Sequence, residues 1–253
     1  MRAVQTVLLL TLTGLMLIVG QSVVPFVVAE QKPDSGASSL KVQPTLAPLS
    51  GRVIALDPGH GGIDGGAIGL GGTALEKEIA LNIARFLRDY VQEAGAFVVM
   101  TRDDDRMLDD GSGEGTRKAR DLRARMAIMN DPAVDIALSI HLNAVPSPRW
   151  YGAETFYADV RPENACLAEA IQAALKDIVG TPRHAKRSNT LFVLRTMRPV
   201  GALVEVGYLS NPDEARRLID PNYQRKIAFA LSVGLMRYFA EDPARCADGD
   251  LDG

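Results

Sequence analysis

Apolar positions along this chain fall into two patterns, short unbroken runs and stripes at helical spacing. "RVIAL" (52–56) is an apolar run closed by a turn, which predicts a strand buried on both faces. From Glu76 to Ala94 the apolar residues Ile79, Ile83, Phe86, Leu87, Tyr90, Val91 and Ala94 recur every 3.6 residues with charges between them. That stripe predicts a helix ended by Gly95. "FVVMT" (97–101) predicts a second strand, and a polar, glycine-rich loop (103–115) leads into a charged helix in "TRKARDLRARMAIMN" that stops near Pro132. "DIALSIH" (135–141) and "AETFYA" (153–158) predict the next two strands, followed by an amphipathic helix from Glu163 to about Val179. "LFVL" (191–194) and "GALVEVG" (201–207) are further strand candidates, and a last helix runs from about Asn222 to Phe239. Strands separated by helices imply an α/β fold, a single domain with a mainly parallel twisted sheet and helices on both faces. We find no internal repeat and no second domain in the pattern.

The first 50 residues break this rhythm. After Arg2, an almost uncharged run from Val4 to Gly20 leads to Val27-Val28-Ala29, so residues 1–29 read as a secretory signal cut after Ala29. The same run is long enough to read as an uncleaved anchor helix. Either way the protein is exported across the cytoplasmic membrane, secreted or membrane-anchored. Residues 30–50, rich in Pro, Ser and Ala, read as a flexible linker. The folded domain is expected over 51–240 and an acidic tail over 241–253, whose "DGDLDG" opens like a calcium loop but lacks the closing glutamate.

At 253 residues and 47% hydrophobic content the chain is an ordinary globular one, and its net charge of −3 gives no basic field for nucleic acid. Two cysteines, Cys166 and Cys246, do not make a disulfide framework, and Cys166 reads as a small core residue of the 163–179 helix.

In open α/β sheets, chemistry collects at the carboxyl ends of the strands. The first strand ends in Asp57-Pro58-Gly59-His60, the third in Ser139-Ile140-His141, the 201–207 strand carries Glu205, and the first long helix opens on Glu76-Lys77-Glu78. One histidine at a strand end is ordinarily a satisfied structural residue. Here two of the chain's three histidines end buried strands, with glutamates at comparable places. Two histidines and a glutamate form a catalytic zinc set that leaves one position open for chemistry. Residue chemistry leaves open which glutamate binds and which acts as base. Glu76 sits where a glycine-rich approach can fold back on the His60 turn, whereas Glu205 lies in an apolar strand that suits a carboxylate of raised pKa. The structural alternative for Glu205 is an ion pair with Arg195 or Arg198. Glu78, Lys77 and Lys186 read as solvated, and His184, in the basic loop "TPRHAKRSN", as solvated or substrate-facing.

Other chemistries fit less well. The glycine loop fails as a phosphate cradle because residue 64 is Asp where G-x-G-x-x-G needs Gly, and no G-x-x-x-x-G-K-[ST] occurs. Asp57 and Asp64 could serve as paired carboxylates for glycoside cleavage, but two histidines beside them weigh against it. A Ser139–His141 dyad is sterically awkward and lacks the G-x-S-x-G turn.

"DPGHGGIDGGAIG", "EKEIALNIA", "VMTRDDD", "DLRARMAIMN", "SIHLNA" and "ALVEVGYLSNPDEA", in that order, resemble the zinc-dependent N-acetylmuramoyl-L-alanine amidases of bacterial cell walls. The resemblance covers residues 52–240. "SIHLNAVPSPRWYGAETFY" and "RPVGALVEVGYLSNPDEARRL" are most similar to the germination-specific subgroup of spore-forming bacteria. It implies His60, Glu76 and His141 as ligands of one Zn2+ and Glu205 as the catalytic residue. The implied substrate is peptidoglycan, glycan strands with stem peptides, cut between N-acetylmuramic acid and L-alanine. In the spore subgroup the stripped muramic acid goes on to muramic-δ-lactam, which marks the cortex for lysis. Where many family members carry Arg-Gly-Val-Lys, this chain has "AKRSNTLFVL", a departure at the substrate side. The alternatives are a metallopeptidase acting on stem peptides and a non-catalytic peptidoglycan-binding protein. The sequence does not reveal whether an activating protein partner is needed.

Overall fold

The computed structural model describes residues 47–241, which belong to one compact unit. The expected signal or anchor (1–29), nearly all of the 30–50 linker and the acidic tail past residue 241 lie outside the described residues. No helix among the described residues is long and apolar enough to cross a membrane.

The elements run β1 (Val53–Pro58), β2 (Ile68–Gly69), β3 (Ala74–Leu75), α1 (Glu76–Glu93), β4 (Phe97–Met100), α2 (Arg117–Met129), β5 (Ile136–Asn143) and β6 (Glu154–Tyr157). They continue with α3 (Glu163–Val179), β7 (Lys186–Arg187), α4 (Phe192–Thr196), β8 (Val200–Tyr208), α5 (Pro212–Leu218) and α6 (Pro221–Ala240). Six strands form one sheet in the order β4-β1-β5-β8-β6-β7. β4, β1, β5 and β8 are mutually parallel, and β6 pairs antiparallel with β8. The expected mainly parallel sheet with helices on both faces is therefore the observed one.

Alternation along the central strands gives the two faces different partners. Ile54, Leu56, Ile136, Leu138, Ile140, Ala202, Val204 and Val206 point into the main core, packed by α1, α3 and α6. The opposite face begins with the small Ala55 and Ala137, covered by Met126 and Met129 of α2 and by Val193 and Met197 at α4. Further along the strands that second face turns polar, with Asp57, Ser139, His141 and Glu205. One face thus holds the fold together, and the other gathers polar and ionisable side chains toward the carboxyl ends of the strands.

Three expectations need correction. "LFVL" forms no strand: Phe192–Thr196 is the short helix α4, in which the Thr196 hydroxyl donates to Phe192 O at 2.8 Å. β8 already has β5 on one side and β6 on the other, so no sheet edge is free beside it. Cys166 is disulfide-bonded and not a free core thiol; the chain's other cysteine, Cys246, lies outside the described residues. Lys77 is not solvated, since its side chain is 14% exposed and its ammonium donates to Gly62 O at 2.8 Å and to Asp105 Oδ2 at 2.7 Å. The sequence reading also omitted the β2–β3 hairpin, β7 and α5.

Candidate active site

Register brings the polar residues together. Asp57 of β1 is paired with Ser139 of β5, and Ser139 with Leu203 of β8. Farther toward the carboxyl ends, His141 is paired with Glu205 and Glu205 with Glu154 of β6. His141, Glu205 and Glu154 therefore form a row across three strands, on one side of the sheet.

Glu76 reaches this row from a helix. The β2–β3 hairpin turns the chain back so that α1 starts on Glu76, and the Ala67 amide donates to Glu76 Oε2 at 2.7 Å while the Glu76 amide donates to Ala67 O at 3.0 Å. The Leu142 amide donates to Glu76 Oε1 at 3.0 Å. That oxygen also lies 3.1 Å from His60 Nε2 and 2.9 Å from His141 Nδ1. The two imidazoles meet edge to face, with centroids 5.0 Å apart. One donor atom from each of His60, Glu76 and His141 falls within 4.8 Å of the others, the arrangement among the described residues that could hold a metal ion. Two imidazoles and a carboxylate are a donor set that suits zinc, and three ligands leave a position open.

The surrounding backbone explains the glycines. His60 adopts a left-handed conformation, φ 59°, unusual for a residue with a side chain. A Cβ at Gly59 would lie 2.3 Å from the His141 ring, and one at Gly66 would lie 2.5 Å from Glu76 Oε2 and 2.7 Å from His60. Only bare backbone lets these two histidines and the glutamate close on one another.

Two buried arginines hold this turn from behind. Arg102, 1% exposed, donates to Pro58 O (3.0 Å), Gly59 O (2.8 Å), Lys77 O (2.8 Å) and Asp104 O (2.9 Å). Arg125 donates to Pro58 O at 2.7 Å, to His60 O, to Asp57 Oδ1 at 2.8 Å and to Asp121 Oδ2 at 2.7 Å. The carbonyls of residues 58, 59 and 60 are thus all gripped. Burial and the neighbouring Arg125 draw the Arg102 pKa down to about 10, still leaving it charged at neutral pH. Asp57, also bound by the Thr101 and Ser139 hydroxyls at 2.7 Å each, is a structural anion and no half of a catalytic carboxylate pair.

The electrostatics of the glutamates diverge. Burial alone would raise the Glu76 pKa, but its contacts with His141 and His60 hold the carboxyl below the usual range. For Glu205 burial prevails over the two imidazoles, and with Glu76 and Glu154 nearby the carboxyl is pushed up to about 7. Glu205 Oε2 is buried with no hydrogen-bond partner, and no ion pair with Arg195 or Arg198 forms among the described residues. His60 Nδ1 stands 3.0 Å from Asp64 Oδ2, close enough for an ion pair but not aligned for a hydrogen bond. A cleft of about 250 Å³ opens over His60, His141 and Glu205, with Leu122, Leu191, Phe192 and Leu203 as an apolar wall.

The profile of the N-acetylmuramoyl-L-alanine amidase family matches residues 54–237. The chain belongs to this family. The amidase chain is 46% identical over 202 residues to the germination-specific N-acetylmuramoyl-L-alanine amidase of Bacillus subtilis, covering 79% of this chain and 84% of that protein. It superposes with a TM-score of 0.72 on the CwlD amidase of Clostridioides difficile, solved in complex with the GerS lipoprotein, at 34% identity over 76% of this chain and 100% of that one. The catalytic domain of CwlV, an N-acetylmuramoyl-L-alanine amidase of Bacillus (Paenibacillus) polymyxa, gives a TM-score of 0.65 at 27% identity, covering 75% of this chain and 98% of that one.

The amidase fold brings together all four residues singled out in the sequence, His60, Glu76, His141 and Glu205. His184 lies apart from them on the surface, with Nδ1 2.9 Å from Lys176 Nζ. Sequence reasoning missed the clasp of Arg102 and Arg125, because a charged side chain carries no periodic mark of burial. It also missed Glu154, whose strand partner could be found only from the register.

Proposed function

We propose that this amidase hydrolyses the amide between the lactyl group of N-acetylmuramic acid and L-alanine in peptidoglycan, using one zinc ion held by His60, Glu76 and His141. Such an ion supplies Lewis-acid polarisation of the scissile carbonyl and of the attacking water. Glu205 accepts the proton of that water as the new carbon–oxygen bond forms. It then gives the proton to the alanine nitrogen as the carbon–nitrogen bond breaks, leaving a carboxylic acid on the sugar and a free amine on the peptide. The observation that carries this reading is Glu205 Oε2, buried and unpartnered beside a His-Glu-His group, with its pKa pushed up to about 7. A carboxyl poised near neutral pH can both take and return a proton.

The likeness to a germination-specific amidase supports a role in the spore cortex, where stem-peptide removal would precede muramic-δ-lactam formation. The CwlD–GerS complex supports a protein partner for this chain as well. In this reading residues 1–29 carry the domain across the cytoplasmic membrane or anchor it there, residues 30–50 tether it and residues 51–240 act on the wall.

The test is digestion of purified peptidoglycan with and without a zinc chelator, with the fragments analysed by mass spectrometry. Peptide-free glycan and intact stem peptides are expected only when zinc is present. Trimmed peptides still attached to glycan would reassign the chain to peptidases, and an absence of products would leave a wall-binding protein.

A further inference from the structure

Beyond the reacting groups, one cation stacks on two aromatic rings and has no carboxylate partner among the described residues. The guanidinium of Arg183 lies between two rings, 4.9 Å from the centroid of Trp150 and 5.1 Å from that of Tyr208. Its Nε donates to Tyr151 O at 2.9 Å, and neither terminal nitrogen makes a hydrogen bond among the described residues. Glu214, the carboxylate whose field it feels, is already occupied by the amides of Gly152 (2.8 and 3.1 Å) and Tyr208 (2.8 Å). Among the described residues no carboxylate comes within ion-pair distance of Arg183. Lys118, a cation that lines the cleft itself, is 71% exposed and already faces Asp64 at 3.4 Å.

Arg183 is tied to the reacting end of the site by direct contacts. Tyr208, beneath its guanidinium, places its hydroxyl 3.4 Å from Glu154 Oε2, and Glu154 is the cross-strand neighbour of Glu205. A planar fork whose rotamer is fixed before binding loses little entropy on meeting a carboxylate and can engage both of its oxygens. The chemistry of the substrate determines where such an anion lies. In a muropeptide the lactyl carboxyl is consumed in the scissile amide and the acetylated sugars are neutral, so every carboxylate lies on the peptide.

We propose that Arg183 is a specificity residue that binds the carboxylate next to the alanine on the stem peptide, with Trp150 and Tyr208 holding it in place. The proposal rests on the amidase reading for the identity of the substrate. It assigns the β6 side of the sheet to the peptide and predicts that the enzyme distinguishes a free carboxylate from its amide.

The experiment uses a disaccharide bearing muramoyl-L-alanyl-D-glutamate and the same compound with that α-carboxylate amidated. Binding of each is titrated into the full-length, zinc-loaded chain carrying Glu205→Gln, with and without Arg183→Gln or Arg183→Lys, and turnover is measured with Glu205 intact. The acid should bind about 10- to 100-fold more tightly than the amide, the range of a charge-assisted pair. Arg183→Gln should abolish that difference and raise KM with kcat nearly unchanged. Arg183→Lys should retain part of it, which also controls for folding. Equal binding of acid and amide, or an equal fall of kcat on both with Arg183→Gln, overturns the proposal. If the acid is bound preferentially but neither compound is cleaved, the anion site stands and the amidase reading falls.

Discussion

Glu205 should cost the metal-free protein stability, and the cost should depend on pH in a defined direction. Its ordinary pKa is 4.5, and in the fold it is pushed up to about 7. Between these values the folded chain retains a proton that the unfolded chain has released. The unfolded state therefore binds fewer protons, and stability falls as pH rises through that window. Below pH 4.5 there is no penalty, and above pH 7 it is complete. At about 1.36 kcal/mol per pH unit the full cost comes to roughly 3 kcal/mol. Replacing Glu205 with Gln removes the charge at nearly constant volume, though the new amide is left short of partners and gives back about 1 kcal/mol. The net gain expected for Glu205→Gln is therefore about 2 kcal/mol at pH 8, or a rise in Tm of roughly 4–8 °C, turning into a loss of about 1 kcal/mol at pH 4.5, where only the amide cost remains. Urea unfolding of zinc-stripped wild type and variant at the two pH values measures it, and their difference removes the titrations common to both. The same variant should retain zinc yet lose ~10²–10⁴ in turnover. An identical offset at both pH values, or a variant less stable than wild type at pH 8, would refute the burial argument.

Gly59→Ala should fold but bind zinc at least about 10-fold more weakly, because its Cβ would stand 2.3 Å from the His141 ring and displace it; zinc titration with a competing chelator reads the change. Unaltered affinity would mean that the ring has room to move. Arg125→Met leaves Asp57 buried and unpaired, so unfolding should become easier by about 3 kcal/mol. Adding Asp57→Asn should restore part of that loss, and a denaturation series on the single and double variants checks both.

Much of this architecture was legible because hydrophobic alternation and helical spacing are local records of burial. The runs at 52–56, 135–141 and 201–207 are apolar over most of their length, as strands in the middle of a covered sheet must be, with polar residues where the second face opens on the candidate site. The same rule misread "LFVL", since four apolar residues fit a strand or one helical turn equally well, and only the occupied flanks of β8 decide between them. The helix α5 carried a readable signal, Asn211 capping it by accepting from the Asp213 and Glu214 amides at 3.0 Å, with Pro212 at its start. Lys77 and Arg102 were opaque for another reason. Their burial depends on carbonyls of the 58–62 turn, brought to them by long-range folding. The four candidate site residues stood out because ionisable side chains at strand ends, and in Glu76 at the start of α1, are conspicuous. The clasp behind them was not, because its partners are backbone atoms that every residue possesses.

The unequal faces of the sheet set how this enzyme can tolerate change. On the side of α1, α3 and α6 the core is broad and made of interchangeable aliphatic volume, so swaps among Leu, Ile and Met there are absorbed by their neighbours. On the other side Ala55 and Ala137 keep α2 close enough for Arg125 to reach the carbonyls of the His60 turn. A larger residue at either alanine would lift that helix and loosen the grip without touching His60, Glu76, His141 or Glu205. Two of the enzyme's smallest side chains thus hold the power to silence it from a distance.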